Sequence, residues 1–337
     1  MIKKYNVAVV GAMGAVGQEM IKTLEQRNFP VNRLKPLDIT ENKGKEVIFK
    51  GEKVLVEVAE KGAFEDVDIA LFSAGGDASL VLAPMAVGEK AIVIDNSSAW
   101  RMDPAVPLVI PEVNPADLDW NNGIIANPNC STIQMLVALK PIHEEYKIKR
   151  IVVSTYQAVS GTGQKAIDEL NQQVKDYAEG KALISVVYPH QISFNALPHI
   201  DIFMDNGYTK EEMKMVHETK KILDQNIEVS ATAVRIPVFR CHSEAINIET
   251  EEEIDVENVL RLLNNAPGVR VEDAPETNTY PLAIHVVGKD DVYVGRVRKD
   301  FSTKNGLNMR VVADNLRKGA ALNAIQIAET MIQRNLI

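Results

Sequence analysis

Val7–Gly17 reads VAVVGAMGAVG, an apolar run that stops at Gly11 and passes through Gly14 and Gly17 into the segment GQEMIKTLEQ. Four consecutive apolar residues suit a strand buried on both faces, as in a parallel sheet covered by helices. Gly11 and Gly14 supply a tight turn, and Gly14–Gln26 carries apolar side chains at helical spacing. A strand, a glycine turn and a helix in that order bring backbone amides and the positive helix terminus to the edge of a sheet, where they can approach a pyrophosphate closely. The spacing is G-x-x-G-x-x-G rather than G-x-G-x-x-G, and close packing of the helix on the sheet is the alternative use for the same glycines.

Outward from that stretch the pattern repeats. Ile69–Phe72 precedes a helical Ala78–Val87, and Ala91–Ile94 follows. Such alternation predicts parallel strands joined by right-handed crossovers, an α/β fold with a Rossmann-like, doubly wound N-terminal domain. Near Asn127–Cys130 the pattern changes: a helix is expected over Ser131–Leu139 with Pro141 near its end, then a strand over Ile151–Tyr156. Helices at Gly163–Tyr177 and Lys210–Leu223, with strands at Val229–Val238, Ala245–Ile248 and Val292–Val297, predict a mixed α+β catalytic and dimerisation domain. One open sheet there would carry a subunit interface. A long Ala-rich helix is expected over Ala313–Ile332, packing back onto the first domain. The domains so drawn are 1–129, completed by 313–337, and 130–312.

A chain of 337 residues exceeds the usual size of one hydrophobic core. Its 37 basic and 46 acidic residues leave a net charge of -9, which gives no electrostatic reason to expect nucleic acid or an anionic membrane as partner. No apolar stretch reaches the roughly 20 residues needed to span a bilayer. Lys3-Lys4 before an apolar run superficially resembles a signal peptide, but a buried strand entering a glycine turn explains the same letters. Two cysteines, Cys130 and Cys241, are too few for a disulfide framework and point to a reducing compartment, the cytoplasm. No metal is expected.

Cys130 is the sharpest chemical feature. Asn127-Pro-Asn-Cys-Ser-Thr132 precedes an apolar helical run, so the sulfur falls near a helix N-terminus, where the dipole favours the nucleophilic thiolate. A thiolate attacking an acyl phosphate expels phosphate and leaves a thioester that hydride can reduce; a small buried residue is the competing role for cysteine. Cys241 lacks a helix signal and reads as structural. Histidine is the usual proton-transfer partner. Of six histidines, His242 follows Arg235-Ile-Pro-Val-Phe-Arg-Cys, read as a strand. On it the odd separation sends Arg235 and His242 to opposite faces unless Pro237 bends the chain.

Arg101 and Arg235 offer the fork that carboxylate and phosphate demand, or else a surface ion pair. Glu211-Glu-Met-Lys214 reads first as the solvated start of a helix, and secondarily as a phosphate ligand through Lys214. A second glycine turn, Ser73-Ala-Gly-Gly76, suits either a cofactor contact through Gly75 or an ordinary tight turn. Asp38 stands about twenty residues beyond the glycines, where a carboxylate can accept from the ribose 2′-hydroxyl of NAD and would repel the 2′-phosphate of NADP. Lys35, Lys43 or Lys45 could instead neutralise that phosphate with Asp38 turned to solvent, and both readings stand.

Taken together, VAVVGAMGAVG (7–17), NPNCSTIQM (127–135), STYQAVSGTG (154–163), EEMKMVHETKKIL (211–223), RIPVFRCHSEA (235–245) and DNLRKGAALNAIQIAE (314–329) resemble the bacterial aspartate-semialdehyde dehydrogenases over essentially the whole chain. The resemblance implies Cys130 as acyl-thioester nucleophile, His242 as acid/base and Gln157 as a substrate-orienting residue. It implies that Arg235 binds the aspartyl carboxylate, that Arg101 and Lys214 hold phosphate, and that Glu211 assists substrate placement. Cofactor contacts would fall on Gly11, Met13, Gly14, Ala15 and Val16, on Ser160 and Gly161, and on Asn315. The implied cofactor is NADP, the implied partners a small substrate and phosphate, and the implied assembly a homodimer or homotetramer. The implied product feeds lysine, threonine, methionine and diaminopimelate synthesis.

One segment departs from the family pattern. Where many relatives carry an S-x-R-S-A-G turn, LKPLDITENKGK (34–45) places Asp38 near the expected arginine, so NAD or dual use stays open beside NADP. N-acetylglutamyl-phosphate reductase shares the plan and the thioester chemistry, but 211–223 and 235–245 match the aspartate enzyme. A noncatalytic nucleotide-binding paralogue would have no use for Cys130, Gln157, Arg235 and His242 together.

Overall fold

The computed structural model describes residues 3–337. It divides into two compact units, Met1–Asn129 with Ala320–Ile337, and Cys130–Gly319.

The first unit runs β1 (Tyr5–Val10), α1 (Ala15–Gln26), β2 (Val31–Asp38), β3 (Glu46–Phe49), β4 (Glu52–Leu55), β5 (Glu57–Val58), β6 (Ile69–Phe72), α2 (Gly76–Gly88), β7 (Ile92–Asp95) and β8 (Ile124–Ala126). Its main sheet has the order β5-β2-β1-β6-β7-β8, with every pairing parallel, and β3 and β4 form a separate antiparallel hairpin. Val7 and Val9 enter one apolar cluster with Met20, Leu24, Ile325 and Ala328, while Ala8 and Val10 enter another with Phe64, Phe72 and Ala83. Successive side chains of β1 thus feed opposite faces, which is why the strand is apolar throughout. Fully burying each such valine contributes about 1.5 kcal/mol or more.

The chain leaves β1 toward β2 on one side and later enters β6 on the other, a switch point that sets the two glycine turns side by side. Gly11 has φ +81, and a Cβ there would lie 2.4 Å from the Ser73 carbonyl oxygen, so only glycine lets the turns meet. β2 carries no strand signal of its own. Its outer neighbour β5 covers only Leu37 and Asp38, so Asn32, Arg33 and Pro36 are tolerated as at an edge.

The second unit runs α3 (Cys130–Tyr146), β9 (Ile148–Gln157), α4 (Gln164–Ala178), α5 (Lys210–Ile222), β10 (Glu228–Arg235), β11 (His242–Thr250), α6 (Val256–Asn265), β12 (Val269–Val271), α7 (Ala283–Val286), β13 (Val292–Asp300) and β14 (Gly306–Ala313). Its mixed sheet has the order β10-β9-β11-β14-β13-β12. α3 is buried along most of its length and runs through Pro141 rather than ending there. Such a proline removes one backbone hydrogen bond, which the packing of a long buried helix outweighs.

The chain reaches α8 (Leu322–Gln333) through a π-turn at Arg317–Ala321. The single helix expected over Ala313–Ile332 therefore begins later. Val311, Val312 and Ala313 are buried in β14, where Ala313 pairs with His242. Asp314 then closes the strand, its carboxylate accepting the Leu316 and Arg317 amides. Sheet pairing of β-branched residues overrides the alanine-rich run that follows. Among the described residues, no helix is long and apolar enough to cross a membrane.

Candidate active site

In the second unit, Arg235 ends β10, Gln157 ends β9 and His242 begins β11, so three adjacent strands deliver them to one end of the sheet. Arg235 and Gln157 are direct neighbours in the parallel β9–β10 register. The opposite-face problem posed by the sequence therefore does not arise. The strand expected to continue to Val238 stops at Arg235, and 236–241 loops across the end of β9, with the Val159 and Ser160 amides donating to the Val238 and Phe239 carbonyls.

Ala158 ties the two side chains together. Arg235 Nη1 donates to the Ala158 carbonyl at 2.6 Å, and the Ala158 amide donates to His242 Nδ1 at 3.0 Å. Because Nδ1 accepts, a neutral imidazole carries its proton on Nε2. That Nε2 is buried and meets no partner among the described residues, and neither does Arg235 Nε. Two buried donors are thus held without acceptors, an arrangement suited to an anionic ligand. Burial, reinforced by the Arg235 charge, lowers the His242 pKa to about 3. The ring is neutral at physiological pH and presents N–H.

Gly161 closes this corner. A Cβ there would lie 2.9 Å from Arg235 Nη1 and 3.4 Å from His242 Cε1 and Nε2. Gly161→Ala should leave the melting temperature nearly unchanged and lower kcat/KM about tenfold to a hundredfold by displacing both donors; steady-state kinetics beside calorimetry check this, and unaltered kcat/KM would show that the corner is not used.

Gln157 Nε2 donates to Ser131 Oγ at 2.9 Å and to Glu211 Oε1 at 3.2 Å. Cys130, half-buried, is the first residue of α3, at the positive end of its dipole. A Cβ on Gly319 would lie 2.8 Å from Cys130 Cβ, so glycine is required for the chain to pack against the cysteine. Glu211 lies in the first turn of α5 and Lys214 at the start of the second, the helix start being fixed by a capping box between Thr209 and Glu212. Both are drawn inward rather than solvated: Glu211 is buried, and Lys214 Nζ binds Glu211 at 3.0 Å and Asp201 at 2.8 Å. Burial opposes the ammonium charge, but the two carboxylates outweigh it and hold the Lys214 pKa above its ordinary value. Asn315 donates to Ser160 Oγ at 3.0 Å and accepts the Cys241 amide at 3.0 Å, knitting two further candidates into one element. Cys241 itself is buried, and burial pushes its thiol well above the usual range.

The sequence reading missed Ser131, Asp201, Gly319, Gln134 and Glu244. Glu244 lies two residues along β11 from His242, fully buried, with Gln134 beside it, and among the described residues neither of its oxygens makes a hydrogen bond of ordinary length and angle. Burial raises its pKa well above normal, partly offset by Gln134. A carboxyl whose folded pKa is raised stabilises the fold fully below its unfolded value near 4.3, and that contribution is lost as pH rises toward the folded pKa. Glu244→Gln should therefore raise the melting temperature by about 2 °C or more at pH 8 and leave it nearly unchanged at pH 4. A variant equally or less stable at pH 8 would count against a neutral carboxyl.

The first unit offers a separate cleft of about 500 Å³ at the carboxyl ends of its strands, lined by Gly11, Met13, Gly14, Asp38, Ser73 and Ala74 among others. Ala15 and Val16 open α1, whose N-cap Gly14 supplies no side-chain acceptor, and the first helical bond runs from Gln18 to Gly14. The amides of this turn therefore suit a phosphate. Gly75, with φ +85, caps α2. Asp38 is not turned to solvent: it is buried, and its carboxylate accepts the Met13 and Ile39 amides and Asn42 Nδ2, each at 2.8 Å. Arg101 also lies in this unit, its guanidinium donating to the Asn127 carbonyl at 3.0 Å and the Asn96 carbonyl at 2.9 Å.

Residues 6–120 match a family model described as semialdehyde dehydrogenase, NAD binding domain, and residues 139–318 match semialdehyde dehydrogenase, dimerisation domain. The chain is 57% identical to the aspartate-semialdehyde dehydrogenase of Aquifex aeolicus over 99% of both chains. It is 52% identical to that of Bacillus subtilis, over 98% of this chain and 99% of that one. The crystal structure of aspartate semialdehyde dehydrogenase II from Vibrio cholerae complexed with ASA superposes with a TM-score of 0.96 at 48% identity, covering 98% of this chain and 99% of the other.

Proposed function

The chain belongs to the aspartate-semialdehyde dehydrogenase family, and on that premise we propose that it interconverts 4-aspartyl phosphate and L-aspartate 4-semialdehyde through a thioester on Cys130. The observation that carries the reading is the pair of buried, unpartnered donors, Arg235 Nε and His242 Nε2, in the unit whose α3 begins with Cys130. The α-carboxylate suits the Arg235 fork, and the α-ammonium suits the buried Glu211 carboxylate.

In the biosynthetic direction the Cys130 thiolate attacks the acyl carbon, a C–S bond forms, and phosphate leaves with the C–O electron pair. Gly11, Gly14 and the open N-terminal amides of α1 would hold a nicotinamide dinucleotide, which when bound would supply hydride to the thioester carbon. The resulting thiohemiacetal releases aldehyde as the C–S bond breaks and the thiolate is restored. Throughout, His242 Nε2–H is fixed to donate toward oxygen that gains negative charge, the tautomer being set by the Ala158 amide. Gln157, held by Ser131 and Glu211, orients the substrate, Lys214 serves phosphate, and family likeness gives Arg101 a phosphate role as well. Ser160, Gly161 and Asn315 serve the cofactor; the hydrogen bonds of Ser160 and Asn315 support a rigid element there. Family precedent points to a homodimer, a cytoplasmic setting, a product used for lysine, threonine, methionine and diaminopimelate, and, before the atypical segment around Asp38 is weighed, to NADP.

The test is nucleotide reduction with aspartate semialdehyde and phosphate beside N-acetylglutamate semialdehyde and phosphate. Turnover confined to the aspartyl substrate supports the assignment, because an acetylated amine offers Glu211 no cation. Preference for the acetylated substrate would overturn it, and turnover with neither would leave a noncatalytic role.

A further inference from the structure

Resting on the reading that the first unit binds a nicotinamide dinucleotide, we propose that Asp38 selects the unphosphorylated ribose, so that this protein binds NAD(H) in preference to NADP(H). Asp38 is the last residue of β2 and lines the cleft beside Gly11 and Gly14. Its carboxylate is locked in place: Oδ2 takes the Met13 amide, while Oδ1 takes both the Ile39 amide and Asn42 Nδ2, each at 2.8 Å. An ionised carboxylate has room for about four such bonds, so one acceptor direction on Oδ2 stays open, enough for a ribose hydroxyl.

The surrounding charges do not favour a phosphate in that place. Asp38 and Lys45 are the charged side chains lining the cleft. Lys45 Nζ donates to Asn42 Oδ1 at 2.7 Å, and the other end of the same amide donates to Asp38, so the cation serves to orient Asn42 toward the carboxylate. Glu41 lies in the intervening turn and adds a second negative charge. Lys35 points to Glu57 at 3.7 Å, and Lys43 is exposed. A 2′-phosphate, carrying close to two negative charges, would meet a carboxylate that cannot swing away without releasing the glycine turn at Met13. The segment that departs from the family pattern is therefore a built specificity element.

Equilibrium titration of NADH, NADPH and 2′-deoxy-NADH, followed by nucleotide fluorescence on the intact protein, tests this. NADH should bind at least about tenfold more tightly than NADPH and than the 2′-deoxy analogue. Asp38→Asn, which keeps an acceptor oxygen and removes the charge, should narrow the NADH-to-NADPH ratio at least about tenfold, mainly by tightening NADPH. The wild-type titrations decide the matter even if that variant fails to fold. Tighter NADPH than NADH would overturn the inference while leaving the dinucleotide reading intact, and so would a ratio unmoved in a folded Asp38→Asn. Binding of none of the three would overturn the dinucleotide reading and this inference with it.

Discussion

Cys130→Ala is expected to lower phosphate-dependent turnover at least about 10⁴-fold while the protein stays folded. The expectation of intact folding rests on Gly319, which packs against Cys130 Cβ, an atom that alanine keeps; only the sulfur is removed. Without it no thioester forms, and the donors around Arg235 and His242 have no covalent intermediate to act upon. Intact-protein mass spectrometry after exposure to 4-aspartyl phosphate without cofactor gives an independent readout. Wild type should gain one aspartyl group and the variant none. Residual turnover above about one part in a hundred, or an adduct on the variant, would sink the thioester mechanism.

Arg235 should show the second largest effect. Arg235→Ala removes the fork and leaves the Ala158 carbonyl without its 2.6 Å donor in a buried corner. Truncating a buried charged partner of a bound carboxylate costs about 3 to 5 kcal/mol of binding, so kcat/KM should fall about 10² to 10⁴-fold, with KM rising more than kcat falls. A general loss of packing would not reproduce its second signature. After burial, the Arg235 charge is the main cause of the low His242 pKa. Removing it should shift the histidine titration upward, whereas Arg235→Lys should keep that titration low and still lose affinity for lack of a bidentate fork. Histidine NMR against pH, recorded on both variants, separates the two effects. An identical titration in both would mean that Arg235 does not govern the state of His242.

How far the sequence could be read depended on how local each cause was. VAVVGAMGAVG specified its own strand, turn and helix because apolar alternation and glycine geometry act within a dozen residues. β2 escaped notice because its tolerance for Asn32, Arg33 and Pro36 comes from its place in the sheet. The helix expected from Ala313 begins later because Ala313 ends a strand whose partner, His242 in β11, lies more than sixty positions away. Arg235 and His242 face apart only on one continuous strand; the chain between them is a loop, and β9 lies between the strands that carry them.

From the sequence alone came the parallel α/β start, the position of Cys130 at a helix terminus, and the set of candidate residues, all set by short-range pattern or by likeness to known proteins. Tertiary structure alone decided that Ala158 bridges Arg235 to His242, that Nδ1 accepts and leaves the proton on Nε2, and that Asp38 faces the glycine turn. Those are matters of which donor lies within 3 Å of which acceptor after distant strands pair, and no local pattern encodes that distance.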